Sequence, residues 1–239
     1  MGLPVFYSAS ITEHDQLHVL NEETSKHIVQ VLRMQKDEQL YITNGNGYRF
    51  LAGIVEDDKK AVSIQITDRT IHAAPAKVSI AISLVKNVQR FEWFLEKAVE
   101  IGVSEIFPIV CARTEKQHFR GPRLQGIITS AMLQSQQAWL PVLHEPQKFQ
   151  EFVSRPLPGQ AFIAHCILEN PRMDLQNFSP FRNPTMLIGP EGDFTPDEIA
   201  MALKMEYQPV TLGATRLRTE TAGIVAVTLL NNLNVRLPG

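Results

Sequence analysis

Cysteine is nearly absent from this chain. Cys111 and Cys166 stand far apart and without metal-ligand spacing, which argues against a disulfide scaffold or a zinc site. So few thiols fit a reducing cytoplasm, the expected location. Long apolar runs are missing too: the strongest, Ala222 to Leu230, is far too short to span a bilayer, and the first residues show no signal-peptide pattern. A basic excess is also lacking. The 23 Lys and Arg face 25 Asp and Glu, for a net charge of −2 and a pI near 6.4. Bulk charge therefore argues against a nucleic-acid partner and leaves only a local patch to carry one. The best such patch runs from Arg113 to Arg123 and sets Arg113, Lys116, Arg120, Arg123 and His118 against one acid, Glu115. It reads equally as an RNA contact or as a solvated basic loop. No G-x-G-x-x-G, Walker A, G-x-S-x-G or H-E-x-x-H pattern occurs, and the seven histidines are scattered.

What is present is the composition of a globular protein, 44% apolar and 20% charged, long enough for one large domain or two small ones. Residues 1–72 read as a small β-rich unit. Strands at 38–43 and 48–55 flank Asn44-Gly45-Asn46-Gly47, a hairpin turn signal. Val62, Ile64 and Ile66 then alternate at period two. One helix interrupts these strands, with Asn21 as N-cap and Ile28, Val31 and Leu32 at helical spacing. A meander plus one helix predicts a small barrel. Residues 70–76 read as a linker.

Residues 73–239 alternate strands and helices, the pattern of an α/β domain with a mainly parallel sheet. Strands are expected at 78–85, 106–110 and 161–166, the last followed by a loop through Ile167-Leu168-Glu169-Asn170-Pro171. Asn87 caps a helix whose stripe is Val88, Phe91, Leu95, Ala98 and Val99, ended by Gly102. A further helix is expected over 126–137, with Ile127, Ala131 and Leu133 inward. Thr195, Pro196 and Glu198 spell a capping box, with Phe194 and Ile199 as its staple. The last helix, 219–233, is apolar on most sides, so two of its faces need cover.

Two glycine-hinged loops carry the chemical signal. Leu187-Ile188-Gly189-Pro190-Glu191-Gly192-Asp193-Phe194 and Leu212-Gly213-Ala214-Thr215-Arg216-Leu217-Arg218-Thr219-Glu220-Thr221-Ala222 each follow a short β-rich run and enter a helix. Glycine lets backbone N–H groups approach a ligand closely, and two such edges suggest neighbouring strands feeding one pocket. Arg216 and Arg218 lie where the helix dipole disfavours cations, so they require an anionic partner. Either Glu191 or Glu220 bridges them and pins the loops, or an RNA phosphate does.

These loops resemble the cofactor loops of the SPOUT methyltransferases, in particular the family that methylates N3 of a uridine in 16S rRNA of the small ribosomal subunit. The likeness extends to His27-Ile28-Val29-Gln30-Val31-Leu32-Arg33, to Lys86, Arg90, Glu92, Trp93 and Lys97, to Glu100-Ile101-Gly102-Val103, and to Pro108 and Arg113. Two positions depart from it. Gly192-Asp193 stands where many members have Gly-Gly, and Leu133-Gln134-Ser135-Gln136-Gln137 where many have Glu-Gln-Ser-Gly-Arg. The resemblance implies a PUA-like β-barrel for RNA (1–72), a SPOUT domain (73–239) with a C-terminal trefoil knot, and a homodimer. It implies S-adenosylmethionine as cofactor, without metal, held by Ala164, His165, Ile188, Gly189, Gly192, Leu212, Gly213, Arg216, Leu217 and Thr219. Arg218 and Arg113 would hold the uracil or its phosphate, and Glu191 would either orient an arginine or act as base. His27, Arg33, Lys116, Arg120 and Arg123 would meet the RNA. Ribose 2′-O methylation and a non-catalytic ribosome-assembly factor are the alternative readings.

Overall fold

The computed structural model describes residues 2–115, 117–167, 172–178 and 181–233. Lys116 and residues 168–171 of the expected loop lie outside the described residues. The chain divides into two units, Met1–Ala74 with Met132–Leu140, and Pro75–Ala131 with Pro141–Gly239. The return of 132–140 to the small unit is a crossing that the contiguous reading at residue 72 did not contain.

The small unit contains β1 (Val5–Tyr7), β2 (Leu17–Val19), α1 (Glu22–Lys26), β3 (Gln39–Thr43), β4 (Tyr48–Glu56) and β5 (Ser63–Ile71). The strand order is β1-β3-β4-β5-β2, a curled half-barrel. Register shifts at Leu51/Ala52 and Ile54/Glu56 mark bulges in the β4–β5 ladder, and bulges bend a strand. The 44–47 turn forms as read. The Asn44 side-chain oxygen accepts from the N–H groups of Asn46 (2.8 Å) and Tyr48 (3.2 Å), and Gly45 and Gly47 take φ of 73° and 90°. Leu40, Ile42, Phe50, Ile54, Ile64 and Ile28 form the core.

Two expectations fail here. The strand β5 continues to Ile71, so Thr70 and Ile71 are not linker. The helix is capped by Asn21 as expected, with Thr24 N–H donating at 2.9 Å, but it passes after Lys26 into a π-turn, His27–Val31. Leu32 N–H bonds back five residues to His27 C=O at 3.0 Å. That wider turn rotates later side chains off the 3.6-residue stripe. Ile28 stays buried, whereas Val31 and Leu32 are 69% and 44% exposed.

The large unit runs β6 (Ser79–Ser83), α2 (Val88–Ile101), β7 (Glu105–Val110), α3 (Gly121–Gln134), β8 (Val142–Leu143), β9 (Gln147–Lys148), α4 (Phe149–Val153), β10 (Ala161–Ala164), β11 (Met173–Asp174), β12 (Thr185–Ile188), α5 (Pro196–Lys204), β13 (Gln208–Thr211) and α6 (Thr219–Leu233); α3 ends within the small unit's share of the chain. Its eight-stranded sheet has the order β11-β13-β10-β12-β6-β7-β8, with β9 also on β7, and its ladders are parallel among the described residues. A parallel sheet is covered on both faces, hence the fully buried β6 and β12. Asn87 caps α2 through Gln89 N–H at 2.9 Å, and Gly102 ends it in the left-handed region at φ 101°. The stripe holds, with Phe94 added; Val88 is only half-buried.

Helix α3 begins at Gly121 rather than 126, and it buries Leu124, Ile128, Ala131 and Met132. Ala131 is buried as expected, whereas Ile127 and Leu133 are half-buried and their neighbours Ile128 and Met132 take the inward places. The α5 capping box is complete: Thr195 Oγ1 accepts from Glu198 N–H at 3.2 Å, and Glu198 Oε2 accepts from Thr195 N–H at 2.8 Å. Phe194 and Ile199 share one buried cluster. Helix α6 packs on α2, β6 and β12, burying Gly223, Ala226, Val227 and Leu230. Ala222, Ile224, Val225 and Leu229 remain half-buried.

Candidate active site

The strands β13, β10 and β12 are neighbours, and their registers pair Ala164 with both Ile188 and Val210. Their carboxyl ends therefore stop at one level, and the three following loops leave from one sheet edge. In open parallel sheets this edge is where ligands sit. A cleft of about 320 Å³ opens there. Of the expected residues, Ala164, Ile188, Gly189, Glu191, Arg216, Leu217, Arg218 and Thr219 line it. Cys166, Pro190, Asp193 and Ala222 also line it and were not singled out. The signal for Asp193 was visible as the departure from Gly-Gly, and Cys166 follows β10 directly. His165, Gly192, Leu212 and Gly213 are not part of the lining.

Several contacts fix the cleft walls. Thr219 Oγ1 donates to Gly189 C=O at 2.9 Å and so ties the two glycine loops together. Asp193, at φ 64°, accepts from Cys166 N–H at 2.7 Å through one oxygen and from Phe194 N–H at 2.8 Å through the other. That carboxylate joins the β10 exit to the β12 loop. A Cβ on Gly189 would sit 3.1 Å from the Phe194 ring and 3.2 Å from its backbone nitrogen, so close packing explains this glycine. Gly213 differs: a Cβ there would meet open space, but its φ of 126° is a glycine conformation.

The loop after β7 braces the same wall. Arg113 Nη1 donates to Gly192 C=O at 2.7 Å, and Glu198 Oε1 accepts from Ala112 N–H at 2.8 Å. Arg113 is thereby a clamp on the first glycine loop. Glu191 Oε1 accepts from Lys86 N–H at 3.1 Å, and Glu220 pairs with Arg90 at 3.6 Å. Neither acid pairs with Arg216 or Arg218, which are exposed and, among the described residues, have no carboxylate partner. The bridge between the loops runs through Thr219, not through an Arg–Glu pair.

The basic patch is less available than the sequence suggests. Arg123 forms a fork with Glu92, 2.5 and 2.9 Å, which holds the Glu92 carboxyl below the usual carboxylate range. Lys86 and Glu115 pair at 2.7 Å. With Arg113 on the Gly192 carbonyl, Arg120 is the exposed arginine of 113–123 whose side chain shows no hydrogen bond or ion pair among the described residues, although its charge also acts on Glu92. In the small unit His27 is exposed with its ring edge-on to Phe6 at 6.0 Å, and Arg33 is exposed at φ 57°.

Burial pushes His18, His144 and His165 below the ordinary value of 6.5. Asp15 opposes this at His18 and Glu105 at His144, while Arg155 adds to it there; at His165 Arg172 adds and Asp193 opposes. Both ring nitrogens of His165 lack partners among the described residues. Between 6.5 and the lower folded values the unfolded chain binds more protons. Stability is therefore full above about pH 6.5 and falls as the pH drops through that window. The urea midpoint is expected to be lower at pH 5.5 than at pH 7.5. His144→Phe, which keeps a ring on Phe107, should flatten part of the drop; equal midpoints in the parent protein at both pH values would refute this.

The chain thus combines a half-barrel unit with a parallel α/β unit whose cleft lies at the carboxyl ends of three adjacent strands, the edge where such sheets bind ligands. A sequence profile of the RNA methyltransferase domain matches residues 72–231, and one of the RNA methyltransferase PUA domain matches 20–67. The chain belongs to the RNA methyltransferase family. It is similar to a probable rRNA methyltransferase from Porphyromonas gingivalis, at 36% identity and a TM-score of 0.89, covering 97% of this chain and 98% of that one. A Legionella pneumophila protein solved with the cofactor SAM bound is 28% identical, with a TM-score of 0.87 over 99% and 100% of the two chains. Ribosomal RNA small subunit methyltransferase E of Synechocystis is 29% identical over 91% of this chain and 71% of its own. The SPOUT-type sheet and the PUA-like unit implied by the sequence are both present.

Proposed function

We propose that this chain is an S-adenosylmethionine-dependent methyltransferase that methylates N3 of a uridine in 16S rRNA of the small ribosomal subunit, acting in the cytoplasm as a homodimer. The observation that carries the reading is the cleft itself, built by the Gly189 and Gly213 loops in a chain similar along nearly its whole length to rRNA methyltransferases. Its volume suits a nucleoside-sized ligand. Gly189 packs against Phe194 and Gly213 takes a positive φ, so both loops turn tightly at the cleft edge. Ala164, Ile188 and Gly189 of the lining, with the adjoining His165, Leu212 and Gly213, would hold the cofactor's adenosine and methionine parts through backbone groups, and Leu217 would pack on the adenine.

When bound, the cofactor supplies an electrophilic methyl group on a sulfonium. The chain's residues position the acceptor and exclude water. N3 of uracil is a weak acid and must lose its proton before or during attack. Glu191, anchored by Lys86 N–H and, among the described residues, paired with no arginine, takes that proton. Arg218 stabilises the anion left on the base. Arg113, which keeps the Gly192 loop in place through one guanidinium nitrogen, holds the uracil or its phosphate with the rest of its fork. The half-buried apolar side of α6 begins at Ala222, which lines the cleft, and supports a partner subunit closing the site.

Nucleoside mass spectrometry of 16S rRNA from a deletion strain is expected to lack 3-methyluridine, and the purified protein with S-adenosylmethionine should restore it. A restored methyl on ribose would sink the N3 reading. No methyl, together with no calorimetric heat from the cofactor, would sink the enzyme reading.

A further inference from the structure

A second groove, about 1020 Å³ in volume, opens at the amino ends of β10 and β13, the sheet edge opposite the cleft. It lies between the chain entering β10 (Arg155, Gly159) and the chain leaving α5 (Leu203, Glu206, Tyr207). Two polar groups in it lack partners among the described residues. Tyr207 is 3% exposed and its hydroxyl makes no hydrogen bond. Arg155 makes no ion pair; its guanidinium carbon instead lies 4.0 Å from the ring centroids of both Phe107 and Phe152.

The arginine is held in place. The His144 ring stacks on Phe107 at 3.9 Å and 15°, and two groups this close to one ring centre must cover its opposite faces. Phe107 is therefore fixed from behind while Arg155 lies across its front. Burial lowers the guanidinium's affinity for its proton and raises the Tyr207 hydroxyl to about 12, so the hydroxyl remains a donor at neutral pH. A buried hydroxyl without a partner is destabilising, and the desolvation of the half-buried Arg155 is offset by the attraction of Glu105, which forms no ion pair with it. Both groups are served by one oxygen-rich anion.

We propose that this groove binds a phosphate group, with Arg155 and Tyr207 as donors. The exposed acid on its rim, Glu206, is not paired with Arg155 and repels a dianion more than a monoanion. A phosphodiester of an RNA strand is thus the better fit than free phosphate, and only that choice of source rests on the RNA reading above.

The test is an amide-shift titration of the full chain with dimethyl phosphate and, separately, inorganic phosphate, neither of which involves methyl transfer. Shifts are expected at 155–160 and 206–208, tighter with dimethyl phosphate. Tyr207→Phe, which keeps the ring, should weaken binding about tenfold; Arg155→Lys should weaken it too, because the planar fork is lost. Tighter binding of inorganic phosphate at the same residues would keep the site and make the free ion its ligand. The proposal is overturned by no shifts at these residues with either probe, by equal affinity in Tyr207→Phe, or by shifts confined to 216–218.

Discussion

Replacing Arg218 with alanine is expected to slow methyl transfer by about 10²- to 10³-fold, the usual effect of removing a donor aimed at developing charge. Cofactor affinity should change by no more than a few fold. Arg218 lines the cleft, is exposed, and has no carboxylate partner among the described residues, so its removal breaks no ion pair seen in the fold. The loops stay tied through Thr219 and Gly189. Single-turnover rates and cofactor calorimetry on the same variant separate the two effects. Equal loss in both would make Arg218 part of the cofactor's own binding surface. Arg218→Lys should recover only part of the rate, since an ammonium keeps the charge but not the fork.

A large stability loss is expected at Gly223. A Cβ there would lie 2.5 and 2.9 Å from ring atoms of Phe94 and 3.0 Å from Ile82 Cδ1. Glycine in a helix interior costs roughly 1 kcal/mol against alanine, so alanine brings an opposing gain. Valine brings a larger clash with the same two side chains, and overpacking of this kind typically costs about 1–3 kcal/mol. Gly223→Val should therefore lower the urea midpoint clearly, and Gly223→Ala much less. A valine variant as stable as the parent would show that α6 has room to move away from α2 and β6. Displacement of α6 would also carry Thr219 and Ala222, so cofactor affinity should fall with stability.

What could be read in the sequence was local, and what could not was not. The Thr195–Glu198 box, the Asn87 and Asn21 caps and the 44–47 turn each need only a few consecutive residues, and all form. The π-turn at His27–Val31 is local too, but propensity does not separate it from an α-turn, and two apolar side chains were placed inward that lie exposed. Arg123 was read as a free cation because its partner Glu92 is 31 residues away on another helix. Glycine patterning located the cleft, but the adjacency of β13, β10 and β12 is a property of the whole sheet. Asp193 and Cys166 entered the wall through that adjacency.

The strand order also bears on how the molecule is made. β10 is flanked by β12 and β13, both of which follow it in the chain. During synthesis β10 therefore waits with both edges open until β12 has emerged and with one edge open until β13 has, and the cleft is finished only when Thr219 reaches Gly189. A nascent chain arrested before β13 keeps that open edge and lacks the Arg216–Ala222 wall of its pocket, and open strand edges favour aggregation.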